Sequence, residues 1–469
     1  MEKYNTVAQR IKELDNCDFY TPEAQREVFS ILESLCGIVT ELFKENQELK
    51  DEVNRLKGEK GKPKFKPNKD TAAGTQKNKE KMESCSKKKK TKGSKNDKIK
   101  IDRTETIELD KTNLPDDIEF KGYEEKIVQN IIVKTDNVLY RLEKYYSPSL
   151  KKTYTAEVDD SLKNTEFGAE TKALISTLYY ENRVTENKIA SFLNANGLHI
   201  SEGTISNILI KEQCEELSVI KNEIFVAGLS SSIHQQIDDT GMRIANKNAY
   251  ATIVCNEKYS AFFINISKSR ETIKTFLPPS LSLLFTVLVG DDAPQFKEIA
   301  EEYGLCWVHE ERHYAKLTPI FDYHRQELDR VRSEIWDYYN KLKEYKENPT
   351  QQKKNELWER FDSIFRQKVY YGELSKRLSL TLEKKNKLLT VLDYPEIPIH
   401  NNLSENGVRE MVMKRKISGG TKTTEGQTAW ENNMSILATC KKLGVSFFDF
   451  MKGVFAKNTT VNLPELILQ

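Results

Sequence analysis

Val28, Leu32, Leu35, Val39, Leu42, Asn46, Leu49, Val53 and Leu56 alternate spacings of four and three residues without a break. Such a repeat can satisfy itself only as a helix with one apolar seam. With Leu35, Leu42, Leu49 and Leu56 at d, the a positions hold Leu32, Val39, Asn46 and Val53. β-Branched residues at a with Leu at d favour two parallel strands, and one buried Asn at a fixes register and partner number. The repeat can also serve as one amphipathic helix packed on its own domain. Its length, its polar a residue and the polar segment behind it favour self-association, so residues 1–57 are expected to form a helix and zipper that makes the chain a homodimer or higher oligomer.

Residues 58–100 carry 16 Lys against 5 acidic residues, so the rest of the chain is net acidic in a protein of overall charge +2. This segment has too little apolar content to bury a core and reads as a disordered basic linker. Lys runs of this kind bind phosphate through counterion release without choosing sequence. No run approaches the apolar length of a membrane span, and the N-terminus lacks the apolar stretch of a signal peptide. Seven scattered cysteines without C-x-x-C spacing exclude a Cys-based zinc site. The expectation is a cytoplasmic protein without membrane attachment.

Residues 101–158 are rich in β-branched and aromatic side chains, with strands expected at 127–133 and 138–146, and read as a small β-rich module. The region 159–230 is helical. Within it, Thr185 is placed to cap ENKIASFLNA, Asn196-Gly197 breaks that helix, and Ser201 opens SEGTISNILI. Ile189 and Phe192 would pack against Ile205, Ile208 and Leu209, giving a helix-turn-helix. Its second helix would offer Ser201, Thr204, Ser206 and Asn207 to a DNA groove.

From 231 the pattern is α/β. Strands are expected at 233–244, 249–256, 259–267, 285–289 and 305–308, with helices from Arg270 and Pro294. Residues 319–394 read as long charged helices inserted into that core. The core resumes over 395–455, with helices at 403–415 and 425–442, and 456–469 is a tail. The fold class is therefore multidomain, with an α/β core interrupted by an all-helical insertion.

Two acidic pairs, Asp238-Asp239 in HQQIDDT and Asp291-Asp292 after the apolar run FTVLVG, are expected at strand ends. Carboxylates that converge from adjacent strands supply the hard oxygen ligands Mg²⁺ and Mn²⁺ require. Strand alternation allows one Asp of each pair to face such a site. The other would hold structure, Asp292 by capping the helix after Pro294 and Asp239 by holding a turn. Glu405 is a third candidate, on a helix where Arg409 and Met413 follow at i+4 and i+8. The segment His309-Glu310-Glu311-Arg312-His313 also spells H-E-x-x-H, a pattern of zinc peptidases. It directly follows a predicted strand, however, and His309 and Arg312 could equally meet phosphates there.

The order D-D-T, V-x-D, C-W-x-H-x-x-R (Cys306, Trp307, His309, Arg312) and N-N-x-x-E-x-x-x-R (Asn401, Asn402, Glu405, Arg409), followed by Arg415-Lys416 and Gly426, resembles the DDE transposases of the sixty-six family of bacterial insertion sequences. The resemblance covers roughly residues 165–452. It implies a ribonuclease-H-like core with a helical insertion before the last acidic residue, and transposition chemistry at the ends of a mobile element. It implies Asp238, Asp291 and Glu405 as the catalytic, metal-holding triad, with two Mg²⁺ or Mn²⁺ ions per site. Arg312, Arg409, Arg415 and Lys416 would face DNA, and His309, Asn401 and Asn402 would assist. This chain departs from the family in having Asp238-Asp239-Thr240 for the usual D-E-T and Asn406 where Arg is common. It also has a Tyr-rich module in place of a Cys-rich zinc module.

The implied partners are the element's ends, target DNA and accessory proteins of the same element, at the bacterial nucleoid. Two other readings remain at this point: a catalytically inactive, dimeric DNA-binding derivative of a transposase, and a zinc metallopeptidase.

Overall fold

The computed structural model describes residues 21–56, 99–109, 121–159, 163, 165–276 and 286–469. Expectations for 1–20, for the Lys-rich segment through residue 98, and for 277–285 lie outside the described residues. Two compact units result, Met1–Phe43 with Thr135–Gln469, and Lys44–Lys134.

The heptad residues lie on one helix, α1 (Pro22–Leu56). In the second unit, the described residues between 99 and 134 form no strand and are nearly all exposed, including Ile131 and Ile132. The strand expected at 127–133 is absent because those β-branched side chains find no apolar surface to cover, and β propensity is packing more than backbone preference. The second expected strand is shortened to a hairpin of the first unit, β1 (Lys144–Ser147) and β2 (Lys152–Thr155), with Tyr145 opposite Tyr154.

The helical region holds α2 (Ala169–Ser176), which runs into a π-helical turn at Thr177–Glu181, then α3 (Glu186–Ala195), α4 (Glu202–Ile210) and α5 (Cys214–Ser230). The turn between α3 and α4 is built as its residues dictate. Gly197 takes φ +89°, and the Asn194 amide donates to Ala190 O and Ile200 O at 2.8 Å each. Ser201 Oγ accepts from Thr204 N at 3.1 Å, which caps α4. Ile189, Leu193, Ile205, Ile208 and Leu209 are buried, but Phe192 is exposed, one corner of the helix beyond the shared face. Thr185 makes no side-chain cap bond.

The sheet has five strands in the order β5-β4-β3-β6-β7. β3 (His234–Ile244), β4 (Lys247–Cys255) and β5 (Ser260–Asn265) form an antiparallel meander, and β6 (Val287–Gly290) and β7 (Glu302–Leu305) add in parallel. α6 (Arg270–Lys274) is short, and the helix expected from Pro294 is only a 3-10 turn, Pro294–Phe296. β6 explains the run FTVLVG. Leu288 packs into the core with α2–α5, whereas Val287 and Val289 join a second core made with the helical insertion. A strand buried on both faces reads as unbroken apolar sequence.

α7 (Trp307–Ala315) leads into the insertion, which consists of α8 (Asp322–Glu347), α9 (Gln351–Phe365), α10 (Gly372–Glu383) and α11 (Lys385–Leu388). α12 (Asn402–Ser418) then lies on β3 and β4, and α13 (Thr424–Leu443) lies along β5. The end of the chain is not a loose tail. After α14 (Phe447–Phe455), α15 (Leu463–Leu468) buries Leu463 and Ile467 in the sheet-side core.

α13 also closes the β5 edge of the sheet. Thr439 Oγ1, Ser435 Oγ and Glu431 Oε1 accept from the N–H groups of Ser260, Phe262 and Ile264 at 3.2, 2.9 and 2.9 Å, and Gln427 Nε2 donates to Ile264 O at 2.5 Å. Every fourth helical residue advances about 6 Å and every second strand residue about 6.8 Å, so the two ladders stay nearly in step. Ser435→Ala should therefore lose about 1–3 kcal/mol in urea unfolding, because a buried amide loses its acceptor. The same change at half-buried Thr428, whose hydroxyl serves only its own helix, should stay within about 0.5 kcal/mol.

Candidate active site

The parallel register pairs His234 with Val287, Gln235 with Leu288 and Gln236 with Val289. Continued two residues, it sets Asp238 beside Asp291. Asp238 therefore lies within β3 and not at its end, while Asp291 follows β6 directly. Gln236 sits on the same face as Asp238, two residues earlier. Its Oε1 accepts from the N–H groups of Leu403 and Ser404 at 3.1 and 3.4 Å, and Ser404 Oγ donates to Ile237 O at 3.4 Å. β3 thus holds the N-terminus of α12, and Glu405 is carried in the first turn of that helix.

The two acidic pairs divide by environment. Asp239 accepts from Gln295 Nε2 at 2.6 Å and has Lys268 Nζ at 3.9 Å. Asp292 pairs with Lys384 at 2.8 Å and Lys297 at 3.5 Å. Burial pulls Asp292 up, but the bonds and charges of Lys384 and Lys297 outweigh it and hold the carboxyl below its usual range. The helix-capping role expected of Asp292 is absent, since only a 3-10 turn follows; it is Asp291 Oδ1 that accepts from Ala293 N, at 3.2 Å.

Asp238 and Asp291 behave oppositely. Burial, then the negative charges of Asp291, Asp239 and Glu405, push Asp238 up to about 7 despite the bond from Asp239 N–H. Burial also raises Asp291, against the bond from Ala293 and the His309 ring. Two desolvated carboxyls with little cationic compensation form a site that favours an added positive charge.

Glu405 does not point free into that site. Arg312 Nη1 and Nη2 reach its two oxygens at 3.3 Å each, with His309 Nε2 at 3.4 Å and Arg409 Nη2 at 3.5 Å. Accordingly, among the described residues no three His, Cys, Asp or Glu side chains are already gathered as a metal site. The donor chemistry nevertheless fits Mg²⁺ or Mn²⁺, being carboxylate oxygen throughout. The flanking Asn401 is fully buried with both side-chain polar atoms unpartnered, a cost that a ligand or water in the cleft would remove.

The H-E-x-x-H segment lies on α7, with its residues committed elsewhere. Glu310 is buried and accepts from Arg377 and Thr381 at 2.5 Å each and from Lys384 at 3.2 Å, and Glu311 pairs with Arg332 at 2.7 Å. A carboxylate held by two cations and a hydroxyl cannot serve as a peptidase base, so the zinc reading loses its central residue.

Of the residues expected at DNA, Ser201 and Thr204 bond each other in the α4 cap, Ser206 is half-buried, and Asn207 is exposed. Arg409 and Lys416 are exposed on α12, Arg415 is half-buried, and Asn402 is exposed beside buried Asn401. Met413 is exposed, not a core contact; the face α12 buries carries Ser404, Met411 and Lys414.

Lys414 and Gln236 are the residues the sequence reading missed. Lys414 Nζ donates to Tyr179 O at 2.6 Å and stands 3.0 Å from the Tyr179 ring centroid. Burial pushes its ammonium down to about 7. With the Arg183–Glu410 ion pair it ties the Glu405 helix to the segment between α2 and α3. A Lys three residues past an apolar Met on a helix face was the available signal.

Residues 164–429 match the family described as Transposase IS66 family. That stretch is more than half of the chain and contains β3, β6 and most of α12's partners, so the chain belongs to this transposase family. A curated relative from Sinorhizobium fredii, the uncharacterized protein y4jO, is 40% identical over 166 residues, which are 35% of this chain and 51% of that protein. The chain thus spans about half the length of that relative. No helix among the described residues is long and apolar enough to cross a membrane.

The raised Asp238 sets a pH dependence. Between the unfolded value near 4 and the folded value of about 7, the folded protein holds a proton the unfolded chain has lost, so this group's contribution to stability falls as pH rises through that window. In EDTA, Asp238→Asn should match the wild type near pH 4 and exceed it by about 1–3 kcal/mol at pH 8 in denaturant unfolding. Added Mg²⁺ should raise the wild type's midpoint at pH 8 and leave the variant's nearly unmoved.

Proposed function

We propose that this chain is the DNA-cleaving and strand-transferring enzyme of an insertion sequence, with Asp238, Asp291 and Glu405 as its metal-holding carboxylates. The observation that carries the reading is the β3–β6 register. It sets Asp238 against Asp291 while Gln236 of the same strand fixes the Glu405 helix above them. The strand order, three antiparallel strands followed by two parallel ones, supports a ribonuclease-H-like core with its insertion between β7 and α12.

A bound pair of Mg²⁺ or Mn²⁺ ions would supply a lowered pKa for the attacking hydroxyl and neutralise the phosphodiester in flight. The chain's own residues do the rest. Asp238 and Asp291 are buried enough to bind a cation without competing cationic side chains. Asp239 within β3 and Asp292 after β6, already paired with Gln295 and Lys268 and with Lys384 and Lys297, hold the surrounding structure. Arg312 and Arg409 hold Glu405 in place, and were Glu405 to hold a metal their guanidiniums would be available to the phosphodiester as bidentate partners. No His or Lys base is needed. His309, at 3.1 Å from Arg312 Nη1, orients that guanidinium.

Reaction proceeds at a phosphodiester of the element's end. Water attacks phosphorus and the bond to the 3′ oxygen breaks; the freed 3′-OH then attacks a target phosphodiester in line and expels its 3′ oxygen. End recognition falls to α4, with Asn207 the exposed polar residue best placed for a base edge, and to Arg415 and Lys416 along the backbone. The Lys-rich segment adds sequence-independent affinity, and the α1 seam makes the enzyme a dimer in the bacterial cytoplasm. Accessory proteins of the same element remain compatible partners.

Asp238→Asn, Asp291→Asn and Glu405→Gln should each abolish Mg²⁺-dependent nicking of duplexes bearing the inverted repeats that flank the gene, while gel shifts show end binding nearly unchanged. Asp239→Asn and Asp292→Asn should cost less. Mn²⁺ should substitute for Mg²⁺, and Ca²⁺ should support binding alone. Undiminished cleavage by Glu405→Gln would overturn the assignment, and wild-type binding without any cleavage would identify a DNA-binding derivative. Deleting residues 1–57 should convert the dimer to a monomer in light scattering at micromolar concentration. Replacing six linker lysines by Gln should flatten the salt dependence of binding and spare its specificity.

A further inference from the structure

α1 has two chemically different sides. Leu32, Leu35, Val39 and Leu42 line the a and d seam, and Leu32, Val39 and Leu42 are 45%, 49% and 57% exposed. Arg26, Phe29 and Glu33 stand at b and e positions, off the seam, and dock on the helical insertion. The Glu33 carboxylate accepts from the N–H groups of Ile320 and Phe321 at 2.7 and 2.9 Å and pairs with His324 Nδ1. The Phe29 ring lies 5.0 Å from that of Phe321 and 6.5 Å from that of Tyr323, and the Arg26 guanidinium stands 4.2 Å over Tyr370.

Glu33 does for α8 what α8 cannot do for itself. The N-cap residue of that 26-residue helix is Phe321, which makes no side-chain cap bond. Its leading N–H groups would otherwise be orphaned, and a carboxylate there also meets the positive end of the helix dipole. Glu33 is 7% exposed and His324 fully buried. A carboxylate buried so deeply is tolerable only with those partners, so a slip of α1 by a single residue would strand it. The contact fixes α1 in both translation and rotation.

We propose that α1 is a rigid strut between two copies of this chain. Its a and d seam takes the same seam of a second copy, and its flank beside the a positions, through Glu33 and Phe29, holds the helical insertion. Pairing of two α1 helices then sets the spacing of two catalytic cores, so that both element ends are engaged together. The occupant of the seam is a second copy because Val39 at a between Leu35 and Leu42 at d is self-complementary and favours two strands. The inference rests on the dimer and transposase readings above and adds that dimerisation is mechanically coupled to the insertion.

The test uses full-length protein and two differently labelled duplexes carrying the flanking inverted repeats. Glu33→Ala and Phe29→Ala should remain dimeric in light scattering and bind a single duplex like the wild type. Energy transfer between the two duplexes should fall about tenfold, because the second end loses its preset effective concentration. Glu33→Gln, which keeps an acceptor oxygen, should lie between. Hydrogen exchange should show the amides of 320–325 losing protection in Glu33→Ala. Wild-type pairing of ends in variants whose amides have lost protection would overturn the strut and leave the dimer standing. A monomeric wild type would instead overturn the dimer and the strut together, and failure of the wild type to bind either duplex would overturn the transposase reading. Should Glu33→Ala not fold, Phe29→Ala, at a ring 38% exposed, decides the matter.

Discussion

The parallel pairing of β3 with β6 is the constraint on which the site depends. It joins two strands separated by more than forty residues and fixes them in one register, so that acidic residues distant in sequence become neighbours. A slip by one residue would turn Asp238 to the opposite face and bring Asp239, with its Gln295 and Lys268 partners, in its place. The same slip would rotate Gln236 away from the start of α12 and release the helix that carries Glu405. One register therefore secures all three carboxylates.

β6 also joins the two hydrophobic cores. Its alternate side chains feed the sheet-side core and the insertion-side core, so the helical insertion shares the strand that leads into Asp291. Polar contacts follow the same route. Lys384, between α10 and α11, bridges Asp292 and the buried Glu310 of α7, and Arg377 of α10 meets Glu310 as well. Charge that might have repelled across the cleft is thus neutralised on its outer side, and the inner carboxyls are left without such partners. The division between a neutralised Asp and a desolvated one is what makes each acidic pair asymmetric.

Sequence alone carried four of the five strands, because β4, β5 and β6 are apolar almost throughout, but it set the last at 305–308, where β7 is Glu302–Leu305 and Trp307 already opens α7. It carried the two helices α3 and α4 and the turn between them through Asn196-Gly197 and Ser201, residues whose turn and cap chemistry is local. It failed where structure depends on distant partners. The β-branched stretch 127–133 looked like a strand but has nothing to pack on, and Pro294 began a helix that ends after one turn. Met413 is exposed and Lys414 buried, because the aromatic pocket of Tyr179 and Trp430 takes the Lys414 ammonium. The role of Gln236 was invisible for the same reason: a glutamine in a strand says nothing of the helix end it will meet.

The row of acceptors that α13 lays against β5 has a consequence for assembly. A strand edge with bare amides is an open invitation to another chain, and enzymes that must crowd several copies onto one stretch of DNA are especially exposed to it. Here a helix spends the solvent-shy side of Glu431, Ser435 and Thr439 on closing that edge. Extension of the sheet through β5 is thereby closed to another chain.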